Sequence, residues 1–228
     1  MAFENIPTLC LALDKRKEHW LEMQENLKQY GIDMIPFVCG DGSDKELVYD
    51  QIDEINPDVS KWGYGVPHLK HHHYNAFKGH QSMIQIAKDN GWPYVLILED
   101  DLDVTPRFGD VLKWIKNNPP PDDWKVLLWS WWRGDERDEW NTEVERQYKQ
   151  DKVLRYLRVT YGLGGLHCVV IRDSLYDEIL SLPPVYCLDG ILNSARDHIP
   201  TYMLLPKIAT VKSIYSFTEG CTFNRISL

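Results

Sequence analysis

The stretch "VLILEDDLDV", residues 95–104, decides how the rest of the chain is read. Val95, Leu96, Ile97 and Leu98 run straight into Glu99, Asp100 and Asp101, and Asp103 follows after Leu102. An unbroken apolar run of this kind suits a central parallel strand buried on both faces. Carboxylates this close disfavour one another's charged forms, so a positive group is expected beside them. In open α/β sheets ligands bind beyond the carboxyl ends of the strands, and the acidic run sits at such an end.

Working upstream, "TLCLAL" (8–13) reads as a strand and "DKRKEHWLEMQENLKQYG" as a helix, with Trp20, Met23, Leu27 and Tyr30 near one face and Gly31 as its stop. "MIPFVC" (34–39) is a second strand, closed by the turn Gly40-Asp41-Gly42. This β-α-β opening favours a parallel sheet. A second helix is expected from Tyr74, with Ala76, His80, Met83, Ile84 and Ala87 on one face and Asn90-Gly91 at its end. His71-His72-His73 reads as a polar loop ahead of it, since consecutive residues do not converge on one ion.

Downstream, Thr105 is placed to cap a third helix with Pro106 at its first position and Phe108, Val111, Leu112 and Ile115 on its apolar face. "KVLLWSWW" (125–132) reads as one strand, and "VLRYLRV" and "LHCVVI" as two more. The stretch 133–152 is dense in both charges and reads as a mobile flap or an exposed helix, expected to order on ligand binding. A helix from about Ser174, another near Asp189, and the late strands "TYMLLP" and "KIATV" complete the alternation. The fold class is α/β, with helices about a mostly parallel central sheet. A single domain over 1–228 is expected, with a ligand half over about 1–110 and a second half over about 111–228.

The composition narrows the function. A formal net charge of −9 argues against broad nucleic-acid binding, which depends on Lys and Arg meeting phosphates. No apolar stretch reaches a membrane span, and "MAFENIPTLCLAL" lacks the basic region of a signal peptide, so a cytoplasmic location is expected. The five cysteines are widely spaced, without a CxxC, and read as reduced thiols. Nine Trp and twelve Tyr suit either a core or platforms for sugars and bases. Trp129, Trp131 and Trp132 are the candidates for stacking, with core packing the better account of at least one, because alternate strand residues point to opposite faces.

If the strand geometry continues, Glu99, Asp101 and Asp103 share one face and Asp100 points the other way. Mg²⁺, and Mn²⁺ by similarity, take one or two carboxylates and fill their other positions with water and substrate phosphates. The stretch therefore suits a metal that holds a diphosphate. A solvated acidic turn ahead of a helix is the plain alternative. An EF-hand loop does not fit: counted from Asp101, its glycine position is Pro106 and its closing Glu position is Leu112.

The ordered set of motifs resembles glycosyltransferase family 25, the group of lipooligosaccharide and collagen galactosyltransferases. "LDKRKEHW" is similar to the family's Leu-Asp-Arg-Arg start, and "FVCGDG" to its Ala-Val-Asp-Gly turn. "KGHQSMIQIAKDNGWPYVLILEDDLDVTPRF" is similar to its Ser-His helix, apolar strand and Glu-Asp-Asp signature. "CLDGIL" and "LPKIATV" resemble later segments. The match is dense over 8–108 and sparse beyond. Ala12, His19 and Gly79 stand where the family usually has Asn, Arg and Ser.

The resemblance implies a GT-A fold and transfer of a hexose from a nucleotide diphosphate sugar, UDP first, to an acceptor hydroxyl with inversion. It implies Mn²⁺ or Mg²⁺ on Asp101, assisted by Glu99 and Asp103. Leu13, Asp14, Arg16, Asp41, His80 and Asp100 fall on the nucleotide-sugar side. By residue type alone His80 suits a core histidine, Asp14 a helix start and Asp41 a turn. Asp189 is the expected base, with Glu219 and Asp103 in reserve; helix capping is its other role. The acceptor is left open among a glycan, a lipid-linked sugar, a protein side chain and a modified nucleobase. Two other classes remain, a metal-dependent nucleotidyltransferase and a non-catalytic carbohydrate-binding protein.

Overall fold

A computed structural model of the chain describes residues 3, 5–40, 71–105, 107–133, 154–159, 163–182, 188–194, 198–205, 207–211, 215–216 and 221–222. Asp41, residues 134–152 and Glu219 lie outside them. Among the described residues a seven-stranded sheet spans most of the chain, in the order β2-β1-β3-β9-β5-β10-β7. Its strands are β1 (Thr8–Leu13), β2 (Met34–Cys39), β3 (Tyr94–Glu99), β5 (Val126–Leu128), β7 (Arg155–Arg158), β9 (Cys168–Arg172) and β10 (Thr201–Leu205). β1 pairs in parallel with β2 and β3, and β5 with β10. β9 runs antiparallel between β3 and β5, and β7 antiparallel on the β10 edge. The sheet is thus mixed, with five of its seven strands in one direction and helices packed on both faces.

β3 shows why its sequence is unbroken. Leu96 and Leu98 join Cys10 and Ala12 of β1 in one core, against Trp20, Met23 and Leu27 of α1 (Lys17–Lys28) and Phe108, Val111 and Ile115 of α3 (Phe108–Asn117). Val95 and Ile97 join Leu9 and Leu11 in the other core, against Phe77, Met83 and Ile84 of α2 (His71–Asp89) and Ile179 of α4 (Tyr176–Ser181). Alternate residues of one strand feed two layers of helix.

Local signals set the ends of the helices. Asp14–Arg16 form a 3-10 turn ahead of α1, and Gly31 and Gly91 adopt φ +75 and +64 just beyond α1 and α2. That left-handed conformation costs glycine little. Two expectations are corrected here. His71-His72-His73 form the first turn of α2 rather than a loop. The Thr105 hydroxyl is buried without a hydrogen-bond partner and caps nothing; its carbonyl instead accepts from Phe108 N at 2.9 Å.

A third correction concerns 125–132. β5 ends at Leu128, and Trp132–Arg133 belong to β6, which pairs with β8 (Leu163–Gly164) in a separate ribbon. The break falls where Trp129 N and Ser130 N both turn to Cys168 O, at 3.0 and 3.1 Å. Trp129 is fully buried, edge-on to Phe3 with centroids 6.0 Å apart. Trp131 is also buried and donates its indole N–H to Leu204 O at 3.2 Å. Both rings are core, so neither is open for stacking on a sugar.

Buried Gln81 of α2 holds the end of α4. Its Nε2 donates to Ile179 O at 3.0 Å, Leu182 O at 3.0 Å and Leu180 O at 3.3 Å. These are among the carbonyls a helix C-terminus leaves without partners. Gln81→Leu fits the space but strands them, at a cost of about 1–3 kcal/mol. For a chain of this size that lowers Tm by roughly 2–12 °C. Thermal unfolding checks it; an unchanged Tm shows that the bonds do not contribute.

Candidate functional site

The acidic stretch sits where β1 and β3 end together. Asp100 N donates to Leu11 O at 3.1 Å, and Glu99 N to His167 O at 3.2 Å, so the backbone is tied on both sides just as the strand stops. β3 ends at Glu99, and Asp100 and Asp101 form a turn. The chain then enters β4 (Leu102–Val104), paired antiparallel with β11 (Ala209–Val211), so Asp103 lies opposite Thr210. Strand geometry therefore does not carry through the four carboxylates, and the turn sends them in different directions.

Glu99 follows Val95 and Ile97 onto the α2 side, with Oε1 3.5 Å from His80 Nε2. His80 is buried, and its Nδ1–H donates to Ala76 O at 2.7 Å, one helical turn back. That bond fixes the tautomer with the Nε2 lone pair toward Glu99, and Nε2 has no hydrogen-bond partner. Burial pushes the imidazole below its ordinary pKa; the Ala76 carbonyl and then the Asp189 charge pull the other way.

Gly79 lets this helix approach β1. A Cβ there would overlap the Leu11 side chain. Gly inside a helix costs about 1 kcal/mol relative to Ala. Overpacking costs about 1–3 kcal/mol. The overlap falls on the far end of the Leu11 side chain, at Cδ1, so the two costs are comparable.

Asp100 follows Leu96 and Leu98 onto the α1 side. Its Oδ2 accepts Leu13 N at 2.8 Å and its Oδ1 accepts Arg16 Nη1 at 2.7 Å. Burial raises its pKa above the ordinary carboxylate value, against the pull of Arg16 and the Leu13 N–H. The same Arg16 nitrogen lies 3.9 Å from Asp101 Oδ2. Arg16 is thus one positive group beside the carboxylates, near both Asp100 and Asp101. Asp14 is exposed at the start of the 3-10 turn. Beneath the turn, burial first and the carboxylates second push the Cys10 thiol up, which suits an inert reduced core residue.

Asp189 lies in the first turn of α5 (Leu188–Ser194). Its Oδ1 accepts Gly190 N at 2.8 Å, and its Oδ2 accepts Gly165 N at 3.1 Å, where Gly165 has φ +94. It thus holds both its own helix start and the glycine turn after β8, and its charge reaches His80.

Two residues gave no sequence signal. The Ser130 hydroxyl donates to Ala209 O at 2.6 Å, so its oxygen must accept the buried His167 Nε2–H at 2.8 Å. This pair fastens β11, and with it β4, to the main sheet.

Hard cations of the magnesium kind need only one or two protein carboxylates. Asp101 in the turn and exposed Asp103 on β4 are of the residue type such a cation takes, one on each side of Leu102. Among the described residues no group of three or more His, Cys, Asp or Glu gathers into an all-protein cage, and no helix is long and apolar enough to cross a membrane.

No family model and no curated protein matches the sequence. Among solved structures the chain is similar to a glycosyltransferase involved in the glycosylation of the major capsid of PBCV-1. That similarity has 11% identity and a TM-score of 0.41, over 86% of this chain and 69% of that one. It is also similar to mouse xyloside xylosyltransferase 1 in its apo form, at 10% identity and a TM-score of 0.40, over 86% of this chain and 83% of that one.

Proposed function

We propose that the chain is a metal-dependent glycosyltransferase that moves a hexose from a nucleotide diphosphate sugar, with UDP as nucleotide, to an acceptor hydroxyl with inversion. The observation that carries this is the meeting of Arg16, Asp100 and Asp101 at the carboxyl ends of β1 and β3. A guanidinium and carboxylates at that edge suit a diphosphate and its cation. The motif resemblance to family 25 supports the same reading.

Leu13, Asp14 and Arg16 line the nucleotide side in this reading, with Arg16 facing the diphosphate. Asp101 and Asp103 hold Mn²⁺ or Mg²⁺, which when bound offsets the charge of the departing diphosphate. Asp189 takes the proton of the acceptor hydroxyl at a carboxylate oxygen as the bond to the anomeric carbon forms.

The test is incubation with UDP-hexoses and Mn²⁺, with release of UDP as the signal. Slow hydrolysis to UDP and hexose that stops on chelation is the expected result. Pyrophosphate release from a nucleoside triphosphate would instead mark a nucleotidyltransferase, and sugar binding without turnover a binding protein.

A further inference from the structure

The acidic stretch has an entry and an exit, and both are tied to one place in the core. At the entry, Glu99 N donates to His167 O at 3.2 Å. At the exit, Asp103 lies opposite Thr210 in the ribbon of β4 and β11, and Thr105 N donates to Ile208 O at 3.0 Å. Each strand of that ribbon is three residues long. A two-stranded ribbon so short does not hold itself in place in water, so its position is set by what attaches it to the main sheet. Leu102, Ile208 and Ala209 are buried in the core on the α1 side, but apolar burial has no direction. Direction comes from hydrogen bonds: Ile208 N to Trp129 O at 3.0 Å, and the Ser130 hydroxyl to Ala209 O at 2.6 Å.

Ser130 and His167 are buried, at 0% and 3% exposed. Ser130 is itself held twice, its N by Cys168 O at 3.1 Å and its Oγ by the His167 Nε2–H at 2.8 Å. The His167 backbone therefore holds the entry of the acidic stretch, and its ring, through Ser130, holds the exit. A buried polar pair is costly unless its members are satisfied, a demand that an apolar side chain at 130 would not make. What the pair supplies and packing does not is a fixed place for Ala209 O, and with it a fixed place for β4.

We propose that Ser130 and His167 are positioning residues for the cation: they set the separation between the two ends of the acidic stretch and so hold Asp103 in place relative to Asp101. This rests on the function proposed above and deepens it, naming residues that touch neither cation nor donor. Cations of the magnesium kind demand near-octahedral geometry, so a carboxylate on a ribbon that drifts binds them less well. Groups standing behind metal ligands are worth about 10–100-fold in affinity.

The experiment compares Ser130→Ala with Gln81→Leu, which removes a buried polar side chain on the other face of the sheet. Affinity for Mn²⁺ is measured by calorimetry with and without UDP, alongside melting curves and hydrogen exchange on the metal-free proteins. Ser130→Ala is expected to weaken Mn²⁺ binding by about 10–100-fold. It should also speed exchange at Thr105 N and Ile208 N while the amides of β1 and β3 keep their protection. Gln81→Leu should bind Mn²⁺ as wild type does, whatever its melting temperature. Wild-type affinity in Ser130→Ala overturns the inference. So does an equal loss in Gln81→Leu, because general loss of stability then explains both.

If Ser130→Ala does not fold, Ser130→Cys takes its place, with a thiol that is only a weak donor and acceptor. It is expected to bind Mn²⁺ more weakly than wild type, and equal binding overturns the inference. Wild-type protein that binds no Mn²⁺, with or without UDP, overturns both this inference and the metal-dependent function it rests on. Wild-type protein that binds Mn²⁺, with the variants at 130 unaltered in affinity, overturns this inference alone.

Discussion

Asp101→Asn is expected to abolish Mn²⁺-dependent binding of UDP while the chain keeps its fold. The turn at 100–101 sets Asp101 between Glu99 and Asp103 in sequence, and its contact with Arg16 is long, at 3.9 Å. Removing one negative charge from this set relieves repulsion in the metal-free protein. The attraction to Arg16 is lost with it. The two effects oppose, so melting without metal should shift little. With metal, a neutral amide replaces a hard anionic ligand poorly, and the diphosphate then meets the remaining carboxylates without a cation between them. Melting curves without metal and a calorimetric titration of UDP with Mn²⁺ measure both halves. Equal affinity in variant and wild type would reduce the turn to a solvated helix approach. Unfolding without metal would reveal a structural role for Asp101.

Asp189→Asn is expected to lower turnover by roughly 10²–10⁴-fold, the range of general-base contributions, with donor affinity changing far less. An amide keeps the shape and one accepting oxygen. It can therefore hold Gly190 N or Gly165 N, but presents an N–H to the other. Some loosening of the turn at Gly165 follows, and the melting temperature reports it separately. Single-turnover rates and UDP-hexose affinities on the two proteins separate chemistry from binding. Normal turnover, or donor affinity falling in step with rate, places the base elsewhere and leaves Asp189 as the holder of the helix start.

The parts of this molecule legible in the sequence are those governed by local rules. The apolar run at 94–98 announced a strand buried on both faces, and its alternation delivers Glu99 to α2 and Asp100 to α1. Gly31 and Gly91 marked helix ends because few other residues adopt their backbone conformation. What failed depended on distant partners. The strand expected through 125–132 breaks because Cys168 O takes both Trp129 N and Ser130 N, a contact across 38 residues that no periodicity encodes. The shared face of Glu99 and Asp101 failed because the chain must turn from β3 into a ribbon with β11, over a hundred residues away. The Ser130–His167 pair was invisible for the same reason: neither residue has a pattern until β11 lies beside it.

The antiparallel β9 has a consequence for how the chain is made. β3 is complete at residue 99 and β5 at residue 128, yet both wait for residues 168–172 to fill the gap between them. Synthesis runs at about 5–20 residues per second, so several seconds pass in which a nascent β3, oily on both faces, presents an unpaired edge to its surroundings. A message truncated near residue 110 would leave that edge open for good, with β1 to β4 fully translated and no strand to close it. Such a fragment should associate with itself or with chaperones rather than act as a free binding module. The carboxylates of residues 99–103, charged and next to that edge, are the groups placed to keep nascent copies apart while they wait.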